Sequence, residues 1–551
     1  MSAVIEETVE PGEAYETRVD PTEPTRSSDP SRDLDPAPWR RGPVDRVRDF
    51  LRRRPDACIA AALIVIVVVV QGINIANFPT VSDDEGTYLA QAWAIQHGHG
   101  LAHYSYWYDH PPFGWIQIAA LSWIPATLFH GPMVVMHARI IMLPVSAIGA
   151  ALVYVLCLRL RMSRWAAVVA VVAFGLSPLS VTMQREIYLD NFAVVWMLAA
   201  FVLALSPTRH LWHHIAAGGC AALAILSKET MVVVAPALLL AVWQGTDRST
   251  RKFALVGFLA TGGLLVFQYP LFALLKGELF SGAGHNSLFG AIHYQLSRPG
   301  SGDIFQQGTL ANLTLHWWLV RDPVIMYAGV LASVAALAFK QLRPIAVAAV
   351  TLIVVAARPS GYLPAMYVIQ ALPFFAVVIA GVLDKSVGAL MRLRSRRIAG
   401  LRTSGVNLVA FSSVLVVAVL APHWETGDET ADTALSNTNY AAASNWMHQH
   451  IADPAHTRVV VDDAMWPDLV GYGFQPGLGA IWFYKVDLDP AVTKTLPQGW
   501  RDLDYVVSSS IIRQDPNSLP TVSAAIKHST IVATFGSGDQ RIDIMKVDHS
   551  R

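Results

Sequence analysis

The chain has 551 residues, of which 53% are hydrophobic and only 15% charged, and its formal net charge is zero. Such proportions exclude an ordinary soluble enzyme, and no basic, aromatic stripe marks a nucleic-acid binder. They describe a polytopic membrane protein.

The first 35 residues are acidic and rich in Pro, Ser and Thr, with almost no aromatic side chains, so they lack the apolar surface needed to order themselves. They predict a disordered tail within a cytoplasmic segment 1–56. Arg40, Arg41, Arg46, Arg48 and the triplet Arg52-Arg53-Arg54 directly precede the first apolar run, Cys58 to Ala76. By the positive-inside rule they hold the amino terminus in the cytoplasm. The run is too long and too deep in the chain for a cleavable signal peptide. Cys58, Cys157 and Cys220 all lie in apolar stretches and imply neither a disulfide framework nor a metal site.

A bilayer-spanning helix needs roughly 20 apolar residues to cross about 30 Å. The sequence predicts eleven spans, near 57–77, 138–158, 164–182, 189–206, 213–227, 230–244, 252–275, 323–339, 344–357, 362–383 and 404–421. With that count, basic residues fall on alternate turns: Arg159 to Arg164, Arg209, Arg248 to Lys252, Lys340 with Arg343, and Arg392 to Arg402. Counting Phe113 to Phe129 as a twelfth span would turn Arg159 to Arg164 outward. Its Trp115, Trp123, Gln117 and Pro125 suit a helix lying in the interface.

This topology sets a transmembrane region 57–422, with outer loops at 78–137 and 276–322, and an outward-facing tail 423–551. In the tail, β-rich runs at Thr457 to Val461, Ala480 to Tyr484, Asp504 to Ser508, Ile531 to Phe535 and Arg541 to Val547 alternate with helical stretches such as Ala441 to Ile451. They predict a small extracytoplasmic α/β domain. The stretch Ser281 to Gly302, with Gly282, Gly284, Gly300 and Gly302 around His285, His293 and Arg298, has the look of a lid.

Every unusual polar cluster of the apolar body falls on the predicted outer side. Ser82-Asp83-Asp84-Glu85 reads as a capping box with acidic residues in the first helical turn. A cap alone would account for these four residues, but not for their place where the first span ends. His110-Pro111-Pro112 is either a rigid helix entry or a means of aiming His110 into the loop. Arg185, Glu186 and Asp190 crowd one short outer turn, where snorkelling covers Arg185 but not Asp190. Lys228 closes one apolar run, and Arg358 and Tyr362 stand at another outer end, as phosphate ligands or as interfacial anchors.

In combination these motifs resemble a known family. Asp84-Glu85-Gly86-Thr87-Tyr88 is similar to the Asp-Glu motif after the first span of GT-C glycosyltransferases of family 39, which includes protein O-mannosyltransferases and lipid A aminoarabinose transferases. His110-Pro111-Pro112-Phe113 is similar to their Lys/His-Pro-Pro-Leu turn. Asp190 falls where they have a second aspartate, Lys228 where they have a Lys-Gly pair, and Arg358 to Pro364 where they have an Arg-Tyr-Leu-Pro entry to a late span. The chain departs from that pattern at Glu229, where glycine is expected, and at Gly361, where arginine would directly precede tyrosine.

The resemblance, over about 57–385, implies a GT-C fold and a polyprenyl-phosphate sugar donor that enters sideways from the bilayer. It implies an envelope glycan, lipid or protein hydroxyl as acceptor, at the plasma membrane. Such a hydroxyl must lose its proton as it attacks, and Asp84 is the candidate base. Glu85 and Asp190 would hold the acceptor or the cations. Asp83, His110, Arg185, Glu186, Lys228, Arg358 and Tyr362 are candidates for binding donor phosphate or acceptor. Paired carboxylates leave a divalent cation, magnesium or manganese, open. A transporter would place its polar groups nearer the midplane, on repeats the chain lacks; a non-catalytic scaffold would be indifferent to Asp84→Asn.

Overall fold

The structure is a computed structural model that describes residues 54–100, 108–128, 131–282, 286–359, 361–395, 422–513 and 518–550. The predicted disordered tail, the predicted span 404–421 and His285 lie outside the described residues.

The helices follow the apolar runs. They are α1 (Pro55–Gly72), α2 (Asp83–Gln96), α3 (Phe113–Leu128), α4 (Val134–Ala138), α5 (Met142–Arg159), α6 (Arg164–Leu176), α7 (Pro178–Arg185), α8 (Leu189–Ala204), α9 (Leu211–Ser227) and α10 (Ala235–Gly245). The 3-10 turn Glu229–Val234 leads into α10. Next come α11 (Arg251–Val266), α12 (Gln268–Leu275), α13 (Leu288–Ser297), α14 (Leu310–Arg321), α15 (Pro323–Ala336), α16 (Arg343–Ala356) and α17 (Val368–Ser395).

Each predicted span within the described residues is helical, but the count of eleven is not confirmed. Among the described residues four helices are long and apolar enough to cross a bilayer, or six if two bent pairs each count as one span. At about 1.5 Å per residue, helices such as the 14-residue α16 fall well short of about 30 Å. Two breaks have visible causes. Ser177 caps α7 ahead of Pro178, and α6 and α7 meet at 57°. Asp322 accepts from the amides of Val324 and Ile325 ahead of Pro323, and α14 and α15 meet at 107°. A proline at the first helical position cannot continue the preceding helix, so each pair bends there.

The C-terminal region holds a five-stranded mixed sheet in the order β2-β1-β3-β5-β4, from β1 (Val459–Val461), β2 (Ala480–Trp482), β3 (Tyr505–Ser508), β4 (Ser529–Phe535) and β5 (Ile542–Val547). β1 runs parallel to both β2 and β3, while β5 pairs antiparallel with β3 and β4. The Val459-Val460-Val461 run is buried throughout, as a central strand covered on both faces requires. Helices α18 (Thr438–His450), α19 (Trp466–Gly471) and α20 (Phe483–Leu488) pack around it. All five predicted β-rich runs become strands, each within a few residues of its expected limits. The sheet is not a detached module, because the residues from Asp56 onward cluster as one compact unit.

The stretch 276–322 contains α13 and is fastened in the middle. Ser301 donates its amide to Gly361 O (2.9 Å), and its hydroxyl accepts the Leu363 amide (2.9 Å).

Candidate active site

The first turn of α2 divides three adjacent carboxylates among three environments. Ser82 caps the helix through the Glu85 amide (3.4 Å), and Glu85 returns the bond to the Ser82 amide (3.1 Å). The capping box is therefore present. Glu85 is also fully buried against Arg139, with Nε to Oε1 at 2.8 Å and Nη2 to Oε2 at 2.6 Å, and it accepts the Ile187 amide at 3.1 Å. Arg139 donates as well to Pro79 O (2.6 Å). This bidentate pair ties α2 to the start of α5 and to the turn before α8, and its oxygens are fully engaged.

Asp83 points to the C-terminal region, where its Oδ1 accepts the Asp463 amide at 2.9 Å. Asp84 lies between them, half-buried. Its carboxylate makes no hydrogen bond or ion pair among the described residues. Burial raises its pKa; the Lys228 ammonium pulls it down, Asp190 and Asp109 push it up, and the result stays above the ordinary value.

Opposite Asp84 runs a continuous polar chain. His110 Nδ1 lies 3.0 and 3.1 Å from the two oxygens of Glu229, and Lys228 Nζ lies 2.9 Å from His110 Nε2. An ammonium has no lone pair, so it must donate; Nε2 is then the acceptor and Nδ1 carries the proton donated to Glu229. Lys228 Nζ also faces Asp190 Oδ2 at 3.7 Å. Asp190 Oδ1 accepts from Gln370 Nε2 (2.6 Å), which also contacts Thr230 Oγ1 (2.6 Å). Tyr88, one helical turn from Asp84, sets its ring 6.1 Å from that of His110. Tyr269 fixes the turn by donating to His110 O at 3.2 Å.

Asp84, His110, Asp190 and Lys228 are thus brought together from α2, the 108–112 turn, α8 and the end of α9. Arg185 is not. Its guanidinium turns to Val70 O (2.8 Å) and Ala431 O (3.0 Å), with Asp432 at 3.6 Å, fastening α7 to α1 and to the segment after 422. Glu186 is buried and accepts from the Tyr188 hydroxyl at 3.0 Å. Arg358 is exposed, with an unpaired side chain among the described residues. Tyr362 is half exposed and carries the Arg298 guanidinium 3.9 Å above its ring.

Sequence reasoning missed Glu229 as the partner of His110, although it had marked that position as a departure. It missed Arg139, Gln370, Tyr88 and Asp109. Gln370 carried a signal: a polar side chain inside a long apolar run needs a partner. Burial raises the pKa of Asp109, and the buried Lys485 of α20 opposes that rise. Among the described residues, no group of three His, Cys, Asp or Glu side chains is arranged to hold a metal ion.

Residues 109–271 match the family described as dolichyl-phosphate-mannose-protein mannosyltransferase. No curated protein sequence matches the chain. ArnT from Cupriavidus metallidurans, solved bound to undecaprenyl phosphate, aligns with a TM-score of 0.54 at 13% identity, over 89% of this chain and 98% of that one. The Archaeoglobus fulgidus oligosaccharyltransferase, solved tethered to an acceptor peptide, aligns with a TM-score of 0.53 at 13% identity, over 89% of this chain and 75% of that one. The helical body and the mixed C-terminal sheet thus align over most of the chain with glycosyltransferase structures, which shows a shared GT-C fold. Within that class the chain is mannosyltransferase-like over 109–271, the stretch that holds His110, Asp190, Lys228 and Glu229.

Proposed function

We propose that the protein transfers a sugar from a polyprenyl-phosphate donor to a hydroxyl of a cell-envelope glycan, glycolipid or protein on the extracytoplasmic face, with inversion at the anomeric carbon. The observation that carries this reading is Asp84, a half-buried carboxylate without a hydrogen-bond partner among the described residues, facing a cation held by His110 and Asp190.

Asp84 is the base. As the acceptor oxygen bonds to the anomeric carbon, its proton passes to the Asp84 carboxylate and the bond to the donor phosphate breaks, its electron pair leaving on the phosphate. A raised pKa makes the carboxylate a stronger base. Lys228 meets the growing charge on the phosphate. His110 takes one donor of the Lys228 ammonium and Asp190 pairs with its charge at 3.7 Å, leaving donors for the leaving group. Arg358 and Arg298, the latter stacked on Tyr362, are the further cations for the lipid phosphate. Glu85 and Arg139 position the turn that carries Asp84, and Arg185 and Glu186 fasten helices. The acceptor-bound site excludes water, which strengthens each of these charge interactions.

The test is incubation of the purified protein in lipid nanodiscs with a panel of radiolabelled polyprenyl-phosphate sugars. One of them should be consumed by the wild type and not by Asp84→Asn. A panel left intact by the wild type, or consumed equally by the variant, overturns the reading.

A further inference from the structure

The proposed reaction leaves the C-terminal region without a role, yet that region touches the helix that carries the base, one residue away from it. Asp463 follows β1. Its amide donates to Asp83 Oδ1 at 2.9 Å, and its Oδ2 accepts from the Thr87 hydroxyl and, at 2.9 Å, from the Tyr484 hydroxyl of α20. Gly86 completes the seam, because a Cβ there would overlap the Asp463 carbonyl. Trp93, further along α2, meets Trp466 of α19 edge-on with ring centroids 5.8 Å apart.

Asp83, Gly86 and Thr87 stand one residue before Asp84 and two and three after it. At about 100° per residue they form one face of α2, which leaves Asp84 on the neighbouring face. A clasp on the first face therefore fixes the rotation at which the second presents its carboxylate. We infer that Asp463 is a positioning residue, through which the C-terminal α/β region sets the pose of Asp84 and becomes a working part of the catalytic centre.

The surroundings fit that role. Asp463 is fully buried, with Asp83, Asp462, Tyr484 and Lys485 as its titratable neighbours. Lys485 is itself buried, 3.5 Å from Asp489 and 5.0 Å from the Trp482 ring. Its charge acts on both Asp463 and Asp109, so α20 reaches the residue beside His110 as well as the clasp. A buried anchor of this kind, with neighbours that hold its rotamer, is what keeps a reacting group within a fraction of an ångström of its productive place.

The inference rests on the proposed transferase reading, and the two fail differently. If the wild type consumes no donor, the transferase reading falls before Asp463 is tested. Given a consumed donor, Asp463→Ala and Thr87→Val are compared with wild type in full-length protein, measuring kcat, KM for the donor and the thermal midpoint. Thr87→Val keeps the shape of the side chain and removes its bond to Asp463 together with the longer one to the Asp83 carbonyl (3.3 Å). Both should lower kcat by roughly 10- to 100-fold, the scale set by small misplacements of a reacting group, with donor KM and thermal midpoint close to wild type. Asp463→Asn, which keeps an acceptor for Thr87 and Tyr484, should restore most of the rate. An unchanged kcat in Thr87→Val, a loss of kcat that only follows a loss of thermal stability, or no rescue by asparagine overturns the inference.

Discussion

Lys228 donates to Nε2 of His110 across 2.9 Å, and this one bond fixes the protonation state of both residues. The ammonium stays charged and the imidazole stays neutral, with its single ring proton on Nδ1 and donated to Glu229. A second positive charge, on His110, would force the pair apart, so the arrangement is built to keep a single positive charge directed at the site.

Lys228→Met removes the cation and keeps the bulk. The proposed role of Lys228 is at the leaving phosphate, so kcat/KM for the donor should fall by roughly 10²- to 10³-fold, the loss seen when one oriented donor is withdrawn from a developing anion. Glu229→Gln should cost less, about 3- to 10-fold, because an amide still accepts from Nδ1 but carries no charge. Steady-state transfer assays with the labelled donor measure both; a Lys228→Met enzyme within threefold of wild type would remove the lysine from the chemistry.

Asp84→Asn should cost about 10²- to 10⁴-fold in kcat, the ordinary contribution of a positioned base, while binding of the lipid donor and the thermal midpoint stay near wild type. Donor binding by fluorescence and unfolding by scanning fluorimetry distinguish a lost base from a lost fold.

The pH dependence follows from the same group. Burial raises the pKa of Asp84, so its ionised, working form is reached at a higher pH than for an ordinary carboxylate near 3.9. Activity should therefore fall with acid earlier than a free aspartate would dictate. Lys228 is the largest influence lowering that pKa, and Lys228→Met should move the acid limb further upward. A pH–rate profile of both forms checks the sign; a limb that moves down would contradict it.

Arg139→Met leaves Glu85 buried and without its bidentate partner. Breaking one side of a buried pair costs roughly 3–5 kcal/mol, so the variant should unfold at markedly lower temperature in detergent, or fail to accumulate. Glu85→Gln, which leaves the arginine with an acceptor, should be milder. Equal stability of wild type and Arg139→Met would show that this pair does not carry the junction of α2 and α5.

Much of this was legible in the chain. Strict β-branched runs such as Val459 to Val461 announce buried strands, and Ser82 with Glu85 announces a helix start, because both depend only on neighbours in sequence. The convergence of Asp84, His110, Asp190 and Lys228 was legible through the common side of their loops. What was not legible depends on partners far along the chain. Arg185 looks like a phosphate ligand in a short polar turn, and only the fold shows Val70 O and Ala431 O taking its donors. Glu85 and Asp84 are adjacent and chemically alike, and nothing local tells that Arg139 engages one and leaves the other open. The bends at Pro178 and Pro323 could have been read from proline placement; they shorten helices that hydropathy alone joins into full spans.

Asp468 offers a test away from the reaction. It is buried, its Oδ1 accepts the Val134 amide at 2.9 Å, and burial pushes its pKa up to about 8. The folded form thus binds a proton that the unfolded chain has released above about pH 4. The stability this gives is complete below that pH and is lost as pH rises through about 8. Asp468→Asn keeps the acceptor and has no charge to bury, so its thermal midpoint between pH 5 and 9 should be flatter than that of wild type and higher at the alkaline end, by roughly 1–3 kcal/mol. Parallel curves would place no proton on Asp468.

The sheet's strand order has a consequence for biosynthesis. β1 is held between β2 and β3, whose residues leave the ribosome after it, and Asp463 follows β1 directly. A nascent chain whose helices have already entered the bilayer lacks the full pair of flanking strands until about residue 508 has emerged. The helix at 83–96 therefore waits, through most of translation, for the Asp463 amide that meets its first turn, and a polypeptide truncated before β3 is left with the Asp84 turn unbraced.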